Sequence, residues 1–161
     1  MSNIDDLSDF TKALSNIRDI VDKAADEVGD YLVETIRTRV RLGYGVSGDG
    51  QQKEKFRPLS ASTIKSRQIL AMKGDLFPSS NPKRSHLTAT GDMMQQLTFS
   101  KQPGRITLFF GTPSSEDKAQ YNQNGRYSRP FFYLTDKEIK AVDRILQKAL
   151  DEYVDNIASN L

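Results

Sequence analysis

From Leu7 onward the apolar residues Leu7, Phe10, Leu14, Ile17, Val21, Ala24 and Val28 recur in alternating steps of three and four. That spacing lays one stripe along a helix and excludes a strand, whose side chains alternate with a period of two. The stripe runs on, less regularly, through Leu32, Ile36 and Val40. Asp5, Asp6 and Asp9 stand near its start and Arg37, Arg39 and Arg41 near its end, the polarity that a helix dipole favours. A helix over 1–42, stopped by Gly43, spans roughly 50 Å at about 1.5 Å per residue. A chain of 161 residues cannot cover so long a helix on every side, so part of the stripe is expected to meet another helix or a neighbouring copy. Gly29 costs about 1 kcal/mol relative to alanine within a helix and is a place for a bend.

Downstream, residues 43–58 hold four glycines and five charged side chains without either period and read as a flexible loop or hairpin. A shorter helix is expected from about Ser62 to Lys73, capped by Ser60 or Ser62 and closed by Gly74. Two prolines make 75–86 an extended loop. Met93, Gln95, Leu97 and Phe99 then alternate with Met94, Gln96 and Thr98, and Ile106, Leu108 and Phe110 alternate with Thr107 and Phe109. With Pro103–Gly104 between them, they form a hairpin around a type II turn. A polar loop over 112–128 and a third short strand, Phe131–Leu134, are expected next. Thr135, with Glu138 three residues on, makes a capping box for a last helix whose stripe is Ile139, Val142, Leu146, Ala149, Tyr153 and Ile157. The order predicts an α+β fold: a small antiparallel sheet against a long N-terminal and a C-terminal helix, with 59–161 as its core and at least one sheet edge open.

The chemistry these residues can support is narrow. With no cysteine and one histidine, thiol nucleophiles, thiolate metal sites and any site needing two imidazoles are excluded. No apolar run is long enough to span a membrane, and the first ten residues lack a signal-like pattern. The glycines of 43–50 fit neither a Walker loop nor a dinucleotide fingerprint, so no cofactor is expected. His86 is the one candidate base, and its neighbours Lys83, Arg84 and Ser85 suggest a surface loop rather than a catalytic triad. Carboxylates in the first helix mostly fill the face opposite its stripe. The chain is therefore read as a non-enzyme. Its net charge of +2 conceals a gradient: residues 1–36 carry 3 basic and 9 acidic side chains, residues 37–105 carry 13 and 4. Such a gradient suits contact with a polyanion or head-to-tail contact between copies, or it is evened out on folding. Lys53, Lys55, Arg57, Lys83 and Arg84 are the candidates for a DNA-facing or subunit-facing surface.

Five fragments carry a resemblance when taken in order: PLSASTIKSR at 58–67, SHLTATGDMMQQLTF at 85–99, ITLFFGT at 106–112, AQYNQNG at 119–125 and RPFFYL at 129–134. Together they resemble the neck and tail-completion (head–tail joining) proteins of tailed bacteriophages, the lambdoid minor tail and Mu-like virion morphogenesis families. The matching positions are Pro58, Leu59, Ser60, Thr63 and Arg67; Leu87, Thr90 and Gly91; Gly111 and Thr112; Ala119, Gln123 and Gly125; and Arg129, Pro130 and Phe131. Lys118 and Asn122 depart from the pattern, which has Tyr and His there. The resemblance implies a small α+β subunit in a homo-oligomeric ring, commonly a hexamer, located in the virion neck or tail and made in the host cytoplasm. Its implied partners are the portal connector, tail proteins and the DNA that passes through. Read from the residues alone, Gly91 suits the turn before the first strand, Gly125 a positive-φ loop position, and Arg129–Pro130 the start of an extended segment. The alternatives are a nonspecific nucleic-acid-binding accessory protein using 37–105, and a hydrolase using His86.

Overall fold

The structure, a computed structural model, describes residues 3–46, 52–78, 80–84, 86–126 and 128–158. Helix α1, Asn3–Arg41, is unbroken and 39 residues long. Its side chains are described from Arg18, so the outer stripe residues Leu7, Phe10, Leu14 and Ile17 lie outside the described residues, as do the Ile157 side chain and 47–51 of the expected flexible loop. The stripe that is described buries Ala24, Val28, Leu32, Val33, Ile36 and Val40. The helix runs through Gly29 without interruption. A Cβ at that position would overlap the Phe99 ring, so glycine serves to let that ring lie directly on the helix. Gly43, at φ +85°, ends the helix as expected.

Two short strands follow, β1 (Tyr44–Gly45) and β2 (Glu54–Lys55), paired antiparallel. Helix α2, Ala61–Lys73, is capped by the Ser60 side chain and closed by Gly74 at φ +77°. After the 75–86 loop comes a single helical turn, α3 (Asp92–Gln95). The alternation over 93–96 suggested a strand there, but Met93 and Met94 are adjacent in sequence and both buried, which a turn of helix allows and a strand with one covered face does not. The hairpin proper is β3 (Leu97–Gln102) with β4 (Arg105–Phe110), in register from Leu97↔Phe110 to Gln102↔Arg105, and Gly104 holds φ +71° in its turn.

Three expectations fail beyond the hairpin. Residues 112–128 are not a polar loop throughout: Thr112 caps a helix, α4 (Pro113–Asn124), with proline in its first turn. Its only buried side chains are Ser115 and Ala119, so no stripe advertises it. Phe131–Leu134 does not add a strand. The Phe131 and Phe132 N–H groups donate to Gln123 Oε1, and the Phe131 and Tyr133 carbonyls accept from Arg39, leaving none of these groups for a ladder. Gly125 is not a positive-φ residue (φ −72°); a Cβ would collide with the Tyr121 carbonyl, and close approach is what requires glycine. The sheet is thus two separate two-stranded ribbons rather than one sheet of three or four strands.

The last helix, α5 (Asp136–Ala158), starts on the expected box: Glu138 N–H donates to Thr135 Oγ1 (3.3 Å) and Thr135 N–H donates to Glu138 Oε2 (2.7 Å). Apolar residues of α1, α3, β3 and β4 close a core around Phe131, which is completely buried and meets Phe110 and Phe132 at ring-centroid distances of 6.4 and 5.7 Å. The fold is α+β, with a long N-terminal and a C-terminal helix packed together and the ribbons beside them. Among the described residues no helix is long and apolar enough to cross a membrane, and no group of three acidic or imidazole side chains could hold a metal.

Candidate functional site

Two buried arginines organise the regions that the sequence singled out. Arg39 lies at the edge of the α1 stripe, between Ile36 and Val40, and is 2 % exposed. Its Nη1 donates to Glu138 Oε2 (2.5 Å), and its Nη2 donates to the Phe131 carbonyl (2.5 Å) and the Tyr133 carbonyl (2.8 Å). One guanidinium therefore fixes the end of α1 to the start of α5 and to the segment containing the RPF motif. The pair leaves Arg39 Nε and Glu138 Oε1 buried without a partner among the described residues. Arg39 was not a candidate from sequence; an arginine within an apolar stripe was the available signal.

Arg67, on α2, holds the other region. Its Nη1 donates to the Arg84 carbonyl (3.0 Å) and its Nη2 to the His86 carbonyl (2.7 Å), so α2 clamps the irregular loop before α3. His86, expected on a surface loop, is instead fully buried. The reason is its neighbours: Nδ1 lies 3.2 Å from Arg67 Nη1 and 3.2 Å from Thr88 Oγ1, and Nε2 lies 2.9 Å from the Asn81 carbonyl. A guanidinium can only donate, so Nδ1 carries the lone pair and the proton sits on Nε2, donating to Asn81 O. Burial, reinforced by the adjacent Arg67 charge, holds the imidazole pKa below its usual value and keeps the ring neutral. No described carboxylate touches this ring, and both nitrogens are occupied, which is the geometry of a structural hub. The same loop is tied by Ser80, whose hydroxyl donates to the Thr88 carbonyl, and by Phe77 N–H to the Ala89 carbonyl (2.8 Å). Phe77 also explains Gly91: at φ +85°, a Cβ there would strike the ring.

The matched segments converge. A cleft of about 220 Å³ is lined by Arg67, Leu87, Thr90, Gly91, Lys118 and Asn122, which come from the first, second and fourth fragments or stand directly beside them. The fifth fragment joins through Arg129 N–H to the Asn122 carbonyl (2.6 Å) and through the two Gln123 bonds. The Pro130 carbonyl in turn accepts from Val46 N–H (3.0 Å), fastening the chain next to β1. Ser60 and Thr63 form the α2 cap, their side-chain oxygens 2.8 Å apart, while Pro58 is exposed and Leu59 half-buried. Thr90 donates to Asp92 Oδ2 (2.9 Å) at the start of α3. Gly111 closes the hairpin by donating to the Gln96 carbonyl (2.9 Å).

The basic middle is partly consumed inside the molecule. Arg37 donates to the Met94, Gln95 and Leu97 carbonyls at 2.8–3.1 Å, Arg39 and Arg67 bond as described, and Lys101 pairs with Asp26 on α1 at 2.7 Å. The last contact brings the acidic first helix and the basic middle together within one copy. Of the proposed DNA-facing residues, Lys53, Lys55, Arg57, Lys83 and Arg84 are all exposed. Arg129 of the fifth fragment stands near Arg67 of the first and near Arg57 just before it: burial, and then the charge of Arg57, lowers the Arg129 pKa, and burial, and then Arg129, lowers that of Arg67.

Opposite its pairing with β3, strand β4 is open. The pairs Gln102–Arg105, Ser100–Thr107 and Thr98–Phe109 exchange hydrogen bonds across the ribbon, so the main-chain groups of Ile106, Leu108 and Phe110 point outward. Among the described residues no other main chain bonds them. Beside this edge a groove of about 340 Å³ is lined by Leu108, Phe109, Ala119, Gln123, Phe131 and Tyr133. Phe109 and Tyr133 are exposed there, at 42 % and 46 %. Comparison with family models, curated proteins and solved structures finds no match to this chain.

Proposed function

We propose that the chain is a structural, noncatalytic subunit of a tailed-bacteriophage virion, assembling as a homo-oligomeric ring in the neck or at the head-proximal end of the tail and joining the capsid connector to the tail around the DNA path. The observation that carries this reading is the open β4 edge beside an aromatic groove. A bare edge with apolar side chains is a surface that soluble proteins cover. Where the edge and groove receive a different segment of the next copy the contact is head to tail, and head-to-tail contacts that close make rings. The ordered fragments add support, since four of the shared residues, Arg67, Leu87, Thr90 and Gly91, line one cleft and a fifth, Gln123, binds the main chain of the fifth fragment at Phe131 and Phe132.

Electron microscopy of the purified chain tests the reading: rings of uniform diameter are expected, and antibody to the chain should label the neck of the virion. Particles that stay monomeric at high concentration, with no label at the neck, would overturn it. A second reading, nonspecific binding of nucleic acid, is favoured by Arg129 standing near both Arg57 and Arg67 and by the exposure of Lys53, Lys55, Arg57, Lys83 and Arg84. It requires DNA affinity of the isolated chain that falls steeply as salt rises, whereas the ring reading expects assembly with little DNA affinity.

A further inference from the structure

Arg67 carries a buried charge for which the described residues supply no counterion. It is 9 % exposed, against 2 % for Arg39. Where Arg39 has the Glu138 carboxylate, Arg67 has two carbonyls and one neutral imidazole nitrogen. Those bonds occupy Nη1 and Nη2, and Nε takes part in none of them. Among the described residues the buried side-chain polar atoms left without a partner are Arg39 Nε and Glu138 Oε1, so Arg67 Nε is open to solvent. The cleft of about 220 Å³ that Arg67 lines is also lined by Lys118 and Asn122 of α4 and by Thr90 and Gly91 of the loop before α3. Lys118 is exposed and makes no ion pair among the described residues. Asn122 Nδ2 spends one hydrogen on the Lys118 carbonyl at 2.7 Å and keeps a second. The Asn122 carbonyl accepts from Arg129 N–H, and the charge that bears on Arg67 is that second cation, Arg129. The acidic residue beside Thr90, Asp92, is exposed, accepts the Thr90 hydroxyl at 2.9 Å and pairs with neither cation.

We propose that this cleft is a binding site for a phosphate group, held by Arg67 from α2 and Lys118 from α4. A buried cation is costly unless an opposite charge meets it, and here the structure supplies more positive charge instead. The bonds to the Arg84 and His86 carbonyls leave Nε–H and one Nη2 hydrogen, the side of a guanidinium that grips an oxyanion with two parallel bonds. Lys118 adds a point charge, and the second Nδ2 hydrogen of Asn122 adds a neutral donor. A carboxylate would offset one of the two lining cations. A phosphate group brings up to two charges and three acceptor oxygens, enough for arginine and lysine to share. The cleft is smaller than the roughly 300–1,000 Å³ that an organic ligand fills, so it takes the phosphate group alone. That group is the same chemistry whether it arrives as free phosphate or on a nucleic-acid backbone. The site uses no residue of the β4 edge, so it stands or falls independently of the ring reading.

The single histidine of the chain reports on the site directly, because its Nδ1 lies 3.2 Å from Arg67 Nη1. The full chain is titrated with sodium phosphate above neutral pH, where the ring is uncharged, with ionic strength held constant by sodium chloride. The imidazole NMR signals should move along a saturating curve that chloride alone does not produce. Lys118→Met, at an exposed position, should weaken the affinity about tenfold or more with an unchanged circular dichroism spectrum. Lys148→Met removes the same charge from α5, outside the cleft, and should leave the affinity as it was. A short DNA oligonucleotide, titrated in the same way, separates the two sources. A shift with inorganic phosphate alone identifies a free phosphate ligand, and a shift with the oligonucleotide, weakened by Lys118→Met, identifies a phosphate carried on nucleic acid. The proposal is overturned if neither ligand gives a saturating shift, if Lys118→Met binds at full affinity, or if Lys148→Met loses as much.

Discussion

Arg39 and Arg67 are both buried, both reach main-chain carbonyls far away in sequence, and differ in what offsets their charge. Arg39 has a carboxylate partner, Glu138, at 2.5 Å, so its site is an ion pair sealed between two helices. Arg67 has carbonyls and one imidazole nitrogen, so its site tolerates the cation only while His86 stays uncharged. The first arrangement fixes the two long helices to the core; the second fixes a loop. Burial of like residues thus ties two helices together through a carboxylate in one region and holds a loop through a neutral imidazole, a tie that acid weakens, in the other.

Removing one partner of the sealed pair should cause the largest loss. Arg39→Ala leaves the Glu138 carboxylate buried alone and releases the Phe131 and Tyr133 carbonyls, and is expected to cost about 3–5 kcal/mol in chemical denaturation. Replacing both, Arg39→Met with Glu138→Leu, should recover much of that, because each ion already leaves one polar atom unpartnered. Next comes Arg67→Met, expected to cost about 1–3 kcal/mol through the stranded Arg84 and His86 carbonyls, and to raise hydrogen exchange in the 80–91 loop while α1 and α5 stay protected.

The pH response separates the two regions further. The folded pKa of His86 lies below the unfolded value of 6.5, so the unfolded chain takes up the proton first. Its contribution is intact above that value and is lost as pH falls from 6.5 toward the folded pKa. Urea unfolding from pH 7.5 down to 5 should therefore show a decline that is shallower in His86→Gln; an identical slope in both chains would contradict the assignment. The smallest effect belongs to the exposed Lys101–Asp26 pair, where Lys101→Ala should leave the unfolding midpoint nearly unchanged and more so at high salt.

What was readable in the sequence was what local chemistry decides. The α5 start rests on Thr135 and Glu138 three residues apart, and the hairpin turn on Pro103–Gly104, so both stand where expected. Helix α4 escaped because Ala119 is its one buried apolar side chain; Thr112 followed by Pro113 was the signal present. The third strand failed for a reason no local pattern holds: Phe131–Leu134 has strand-like residues, but Gln123 and Arg39 take up its main-chain groups. The burial of His86 likewise depends on Arg67, 19 residues earlier, and on Asn81 and Thr88 folding around the ring. In the candidate site, Arg67, Gly91, Gln123 and Arg129 were identified by position, whereas their roles needed the fold. The amphipathic stripe of α5 was plain in the sequence, but a stripe gives the width of a helix's apolar face and not how many neighbours share it. Only the structure separates the sector turned to α1 from the one left bare.

The central proposal is that the apolar surface one copy leaves uncovered along β4 is covered by other copies. Sedimentation equilibrium of the native chain over a wide concentration range tests it most directly: the apparent mass should rise in multiples of 18.1 kDa as concentration increases. A constant mass of a single chain up to the highest concentration reached would contradict it.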